Sequence, residues 1–430
     1  MKNLFGILLL ALLALAISAC GGGENKAAGT KVTVTAVGIG DGPAFISAAA
    51  YQTGNGEWQQ LLPNKDGSFS FYVPVGETKY GVAVRCGDNF QLGNSAIMNV
   101  FQLTTDETVS PIAHCMTSGE VTAVSGEIDL SGVSGATRYE IWGPGNGDDN
   151  SVNGTTHTGN YEVYVPHGGS RDLVVVAEDN SYNILAAKIV RGIDTNNAVV
   201  YQDVALVSSE ALKTHNMAAF NVPSGMSGSF NLLLRTAGGT IYKDFGPSRS
   251  KAGGPVYAIA NAQHGDIYIA KISASTSSGT SSIMHFSCFD APNLSNNLSS
   301  SFDITPFPVG GAVTAAANPT FPTHPDADVD RYVFITASPQ TLLRSYEVSS
   351  AWLGSKDSYS VPDLSSIPGF NNLQPARGEE VGWVDVAIKT SLTPAEYDSL
   401  PRAWEGLLSF PVKAGAAMDI AIMSGNYATP

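Results

Sequence analysis

The sequence predicts an all-β fold, tandem antiparallel β-sandwich domains behind an N-terminal segment that is not part of the folded body. Three observations carry this. Only 14% of the 430 residues are charged, 43% are hydrophobic and 45 are Gly, a composition that suits strands and turns better than helices. Apolar residues alternate with polar ones over short runs, as in "GSFSFYVP", the period of a half-buried strand. Finally, two distant segments share one strand-turn-strand pattern.

The chain opens with "MKNLFGILLLALLALAIS", in which Lys2 supplies positive charge and Leu4 to Ile17 an apolar run. As a helix this run reaches about 21 Å, short of the roughly 30 Å hydrocarbon core, so it reads as a signal peptide. Ile17-Ser18-Ala19-Cys20 resembles the lipobox of bacterial lipoproteins. That resemblance implies cleavage of residues 1–19 and attachment of a diacylglycerol to the Cys20 thiol; two or three acyl chains anchor stably where one does not. "GGGENKAAGT" has no apolar pattern, so residues 20–30 are expected to form a flexible tether. Gly21 is not the aspartate that retains some lipoproteins in the inner membrane. An outer-membrane or cell-surface location is favoured.

The repeat follows. "DGSFSFYVPVGETKYGVAVRCGDN" and "HTGNYEVYVPHGGSRDLVVVAEDN" both carry Tyr-Val-Pro-x-Gly, at Tyr72-Val73-Pro74 with Gly76 and at Tyr164-Val165-Pro166 with Gly168. Pro74 precedes Ile97, and Pro166 precedes Ile189, by the same 23 residues. Proline has no N–H to give a ladder and the glycine allows a positive φ, so each motif is expected to form a hairpin. A weaker third copy is "VYAIANAQHGDIYIAKISAS" with "SSIMHFSCFD".

These phrases resemble carboxypeptidase-regulatory-like, or transthyretin-like, β-sandwich modules, which implies Ig-like spacer, adhesive or binding units and not a catalyst. The expected boundaries are 31–118, 119–207 and 208–305 for three sandwiches, with a β-rich C-terminal domain over 306–430. In the last, "RYVFITAS", "VGWVDVAIKTS" and "AMDIAIMSG" alternate as strands. "SLTPAEYDSL" offers one short helix, with Thr393 as N-cap, Pro394 first and Glu396 completing a capping box. The sequence leaves open whether 208–305 and 306–430 are separate units.

Net charge is −15, and loss of the leader removes one Lys and no acid, giving −16. Nucleic acid is therefore not an expected partner. In an exported chain two of Cys86, Cys115 and Cys288 are expected to pair. Cys86 with Cys115 is the expected disulfide, stabilising by roughly 3 to 4 kcal/mol in the chain-entropy model. The alternative is three buried apolar thiols; Cys288 is left over.

Asp326, Asp328 and Asp330 alternate as in a calcium loop, but Arg331 stands where the turning glycine belongs. Asn146, Asp148, Asn150 and Asn153 read as an exposed turn. No metal site or cofactor is assigned. Trp58, Trp142, Trp352, Trp383 and Trp404 are candidates for stacking on sugars, Trp383 foremost if the aliphatic face of "VGWVDVAIK" is the core. No GxSxG, HExxH, P-loop or GxGxxG motif is present, so no catalytic residue is assigned. The expectation is a non-catalytic, lipid-anchored envelope protein with a binding, adhesive or structural role, touching the membrane through its lipid and an envelope protein or glycan elsewhere. The alternative is a carbohydrate-binding or carbohydrate-active protein working through 306–430.

Overall fold

The computed structural model describes residues 29–39, 44–86, 96–118, 120–144, 146–210, 212–216, 221–239, 241–242, 255–290, 302–307, 318–336, 342–371, 373–375, 377–398, 400 and 413–429. The leader, Cys20 and Trp404 lie outside them. The described chain is nearly all β, as the sequence predicts. The first strand, Gly29–Ile39, starts two residues inside the expected tether.

The matching segments fold alike. In the first, Gly29–Ile39 lies between Phe69–Pro74, antiparallel, and Ile112–Ser118, parallel. In the second, Val121–Gly132 lies between Thr158–Pro166, antiparallel, and Val199–Tyr201, parallel. Gly29 pairs with Pro74 and Val121 with Pro166, a separation of 45 residues in both. In the second copy Val204–Val207 also pairs with Val121–Gly132, which makes that sheet four-stranded, and each of the two sheets packs on a second sheet of matching order. That order is Gln59–Leu61, Ile46–Thr53, Lys79–Cys86, Ala96–Thr104 in one and Asn146–Ser151, Arg138–Gly143, Ser170–Glu178, Ile184–Asp194 in the other. Val32, Phe71 and Val73 meet Val82 and Phe101 in the first core, and Val124, Val163 and Val165 meet Ile141 and Val175 in the second.

The Tyr-Val-Pro-x-Gly motif corrects one expectation. Its two strands do not form a hairpin: Phe69–Pro74 pairs with Gly29–Ile39, whereas Lys79–Cys86 belongs to the opposite sheet, and the second copy repeats this. Pro74 and Pro166 end their strands, and Gly76 and Gly168 take φ of 87° and 85°. The turn thus carries the chain across the core, where a hairpin would have kept it in one sheet.

The largest assembly is a twelve-stranded sheet. Its order is Ile241–Tyr242, Met226–Arg235, Ile267–Thr276, Ser281–Asp290, Ala417–Ala428, Glu380–Thr390, Val329–Thr336, Leu342–Ser349, Ala96–Thr104, Lys79–Cys86, Ile46–Thr53, Gln59–Leu61. Ser281–Ser287 pairs with Ala417–Met423, so the ranges 208–305 and 306–430 share one ladder. Leu342–Val348 runs parallel to Ala96–Gln102, which joins the first sandwich to the same sheet. A strand with ladders on both edges is covered laterally, and here both faces are packed as well. One face of the sheet carries Phe334, Trp383 and Ala421; the other carries Phe286, Val386 and Met418.

Pro394–Asp398 is the short helix, and its capping box forms: Glu396 accepts from Thr393 N and Oγ1, both at 2.9 Å. Among the described residues no helix is long and apolar enough to cross a membrane.

Candidate functional site

Cys86 and Cys115 form a disulfide with Cα atoms 5.6 Å apart. It ties Lys79–Cys86 to Ile112–Ser118, strands of opposite sheets. Cys288 is a buried free thiol, and burial pushes its pKa up to about 12, which leaves it protonated and unreactive.

The three alternating aspartates do not converge. Asp326 is exposed and accepts from Thr305 Oγ1 at 3.0 Å, Asp328 accepts from Thr390 N at 2.9 Å, and Asp330 is buried and accepts from His324 N at 3.2 Å. The Asn/Asp-rich stretch, expected as a turn, pairs as the strand Asn146–Ser151 against Arg138–Gly143. Arg138 makes an ion pair with Asp149 at 3.1 Å, and only Asn153 caps a turn, through Thr155 N at 2.8 Å.

The tryptophans form no platform among the described residues. Trp383 is 8% exposed, with its ring 5.9 Å from that of Phe321, so it cannot present a face to a ligand. The condition set by the sequence fails because Glu380–Thr390 has core on both sides; Asp385, on the face of Trp383, is buried too. Trp352 is buried, and Trp142 donates to Glu140 at 3.2 Å.

What is exposed is aromatic surface on the four-stranded sheet of the second sandwich. Tyr164 stands opposite Ala123, which stands opposite Val199; Ser125 stands opposite Tyr201 in the next outward row. Tyr164, Val199 and Tyr201 are 45%, 66% and 71% exposed, and Val121 extends the apolar area. Small residues between two tyrosines leave a shallow floor about 10 Å wide, two strand spacings. Glu162, hydrogen-bonded by the Tyr164 hydroxyl, and Glu127 make its rim acidic. The alternation in "GNYEVYVP" placed Tyr164 opposite the apolar set, but Val199 and Tyr201 belong to a three-residue strand too short to show a period.

A buried relay crosses the large sheet. His285 Nδ1 lies 3.0 Å from Asp419 Oδ1, its Nε2 lies 2.7 Å from Ser287 Oγ, and Asp303 N donates to Asp419 at 3.0 Å. The Asp419 carboxylate accepts from Nδ1–H, and the Ser287 hydroxyl, which can donate or accept, meets Nε2. Serine, histidine and aspartate in this order have the contacts of a hydrolase triad. However, Ser281–Asp290 is paired along both edges, with Ala270 and Ala417 flanking Ser287, so that strand has no N–H left to hold an oxyanion. The relay instead ties two strands and the 302–307 segment together.

No protein-family model matches the chain, and no curated protein matches it. Among solved structures, similarity is found to the TIE protein of Bacillus anthracis, at 9% identity over 63% of this chain and 49% of that one, TM-score 0.15. The tip fimbrial protein Mfa3 of Porphyromonas gingivalis is similar at 10% identity over 53% of this chain and 99% of that one, TM-score 0.17. The pilus adhesin SpaC of Lactobacillus rhamnosus GG is similar at 9% identity over 74% and 44%, TM-score 0.16. The chain spans about half the length of the TIE protein. Likenesses this slight carry no functional argument.

Proposed function

We propose that this chain is a lipid-anchored cell-envelope protein with a non-catalytic adhesive or binding role, and that the outward face bearing Tyr164, Val199 and Tyr201 is its contact surface. The observation that carries the binding role is that face: two exposed tyrosines over a floor of Ala123 and Ser125, on neighbouring strands of one sheet. Tyrosine rings offer large contact area at low entropic cost and stack on the apolar faces of sugars. The acidic rim favours a neutral glycan or a basic protein patch over an anionic ligand. Anchoring rests on the lipobox resemblance at residues 17–20, and an outer-membrane or cell-surface location is favoured because Gly21 is not the aspartate that retains some lipoproteins in the inner membrane. The carbohydrate alternative placed in 306–430 loses its foremost residue because Trp383 is buried; a sugar contact would fall instead on Tyr164 and Tyr201 of the second sandwich.

The test is binding of the mature chain to a glycan array and to immobilised envelope proteins, beside Tyr164→Ala/Tyr201→Ala. The reading expects a specific ligand whose affinity drops roughly 10- to 100-fold in the double variant. Undiminished binding by a folded double variant would remove this face from the account.

A further inference from the structure

Two carboxylates share the interior of the large sheet. Tyr332 stands opposite Asp385 and Asp330 opposite Ala387, so Asp330 and Asp385 are diagonal neighbours on one face of two antiparallel strands. Such positions are separated by about 7 to 8 Å between Cα atoms. Asp330 is 1% exposed and Asp385 0%. Among the described residues neither oxygen of Asp385 has a hydrogen-bond partner, and Asp330 accepts the His324 N–H.

Two cations share the face of the pair, and each is engaged elsewhere. On Val329–Thr336 the neighbour is Tyr332, and on Leu342–Ser349 it is Tyr346, opposite Tyr332; one row on, the buried Arg344 lies over the Phe334 ring at 5.1 Å and donates to Gln374 Oε1 at 3.4 Å. On Glu380–Thr390 itself the exposed Lys389 follows Ala387 on that face and donates to Asp303 O at 3.1 Å. Tyr359 of Ser358–Ser360 stacks on Tyr332 at 5.1 Å and donates its hydroxyl to Gln102. From the covering segment comes His324, whose Nδ1 accepts from Asp326 N while Nε2 donates to Thr305 O, the pattern of a neutral ring. Ala417–Ala428 contributes Met423, opposite Asp385, and Ala421; its Asp419 is held farther along by His285. Ser281–Asp290 contributes Ser281, opposite Met423. Arg331 is adjacent to Asp330 in the chain and therefore points to the other face.

An ionised carboxylate buried without a partner costs far more than a protonated one, and two such charges repel. We propose that Asp330 and Asp385 form a proton-operated clamp: protonated, they let residues 318–328 and Ser358–Ser360 close over the sheet, and ionised, they loosen that cover. Burial pushes Asp330 up to about 7, and burial with the nearby Asp330 charge holds Asp385 well above the ordinary carboxylate value. The direction of coupling follows. Both groups bind protons in the folded state that the unfolded chain has released above about 4, so their contribution is full at acid pH and is lost as pH rises through their native values.

The experiment compares melting of the wild-type chain and Asp385→Asn between pH 5 and pH 8. Asparagine keeps the shape of the protonated acid and cannot ionise. The clamp predicts that the variant's melting temperature gains on wild type by roughly 2 °C or more per pH unit across this range. It also predicts that wild-type hydrogen exchange in 318–328 and 356–361, corrected for intrinsic rate, accelerates at the alkaline end before the rest of the sheet does. Parallel pH curves for the two proteins overturn the clamp. So does calcium if it erases the wild-type pH dependence, because a cation would then be neutralising the pair. If Asp385→Asn does not fold, exchange in the wild type decides: acceleration confined to these segments supports the clamp, and a uniform response overturns it.

Discussion

Glu178 shows how far a single buried acid can tune this chain. It closes the strand Ser170–Glu178, is buried, and among the described residues its Oε2 has no hydrogen-bond partner. Burial, aided by Glu140, raises its pKa to about 7 against the pull of Arg138. Its sign is that of a raised acid: the folded state holds a proton between 4.5 and about 7 that the unfolded state has lost, so stability declines as pH climbs through this window. Glu178→Gln is therefore expected to melt higher than wild type at pH 8 and to match it near pH 4, by calorimetry at both values. At this scale the sequence was legible where chemistry is local. The capping box of Thr393 and Glu396 and the pairing of Cys86 with Cys115 rest on short spacings or a small choice of partners. Asp385 was not legible, because alternation shows that a face differs and not whether another segment covers it.

Among the elements, the Pro-x-Gly turns and the joint between the second sandwich and the large sheet decide the architecture. The turn chemistry was readable at Pro74, Gly76, Pro166 and Gly168, but its consequence was not. Ending a ladder and reversing φ fit a crossover between sheets as well as a hairpin, and only long-range pairing distinguishes them. The joint is a polar network around Arg191. Its Nη2 lies 2.6 Å from Asp266 Oδ2 and its Nη1 lies 3.5 Å from Asp172 Oδ2, and Asp266 also accepts from Ala237 N and Gln263 N. Beside it Asn261 imitates a strand, accepting from Ile189 N and donating to Ile189 O. Apolar packing of Val174, Val176 and Ile189 on Phe230, Leu232 and Tyr268 surrounds the network. Arg191→Ala strands the buried Asp266 charge and is expected to cost about 3 kcal/mol in denaturant unfolding; Arg191→Lys should recover part of it.

For the whole molecule, strand content and duplication were visible in the alternating runs and in the matched spacings from proline to isoleucine. The twelve-stranded sheet was not, since the parallel ladder between Leu342–Val348 and Ala96–Gln102 joins residues hundreds of positions apart and leaves no local pattern. Three sandwiches, a β-rich C-terminal domain and a tether imply a string of units, whereas strands from 31–118, 208–305 and 306–430 pair within one twelve-stranded sheet. The Tyr164 and Tyr201 face lies on the second sandwich, outside that sheet, which meets it through the Arg191 joint. In the proposed function, presentation at the envelope depends on Cys20. The decisive measurement is fractionation of cells fed labelled palmitate and expressing either wild type or Cys20→Ser. The account predicts label and membrane association for wild type, and an unlabelled Cys20→Ser protein that does not fractionate through a lipid. A wild-type protein free of label, or a Cys20→Ser protein that carries it, would contradict the account.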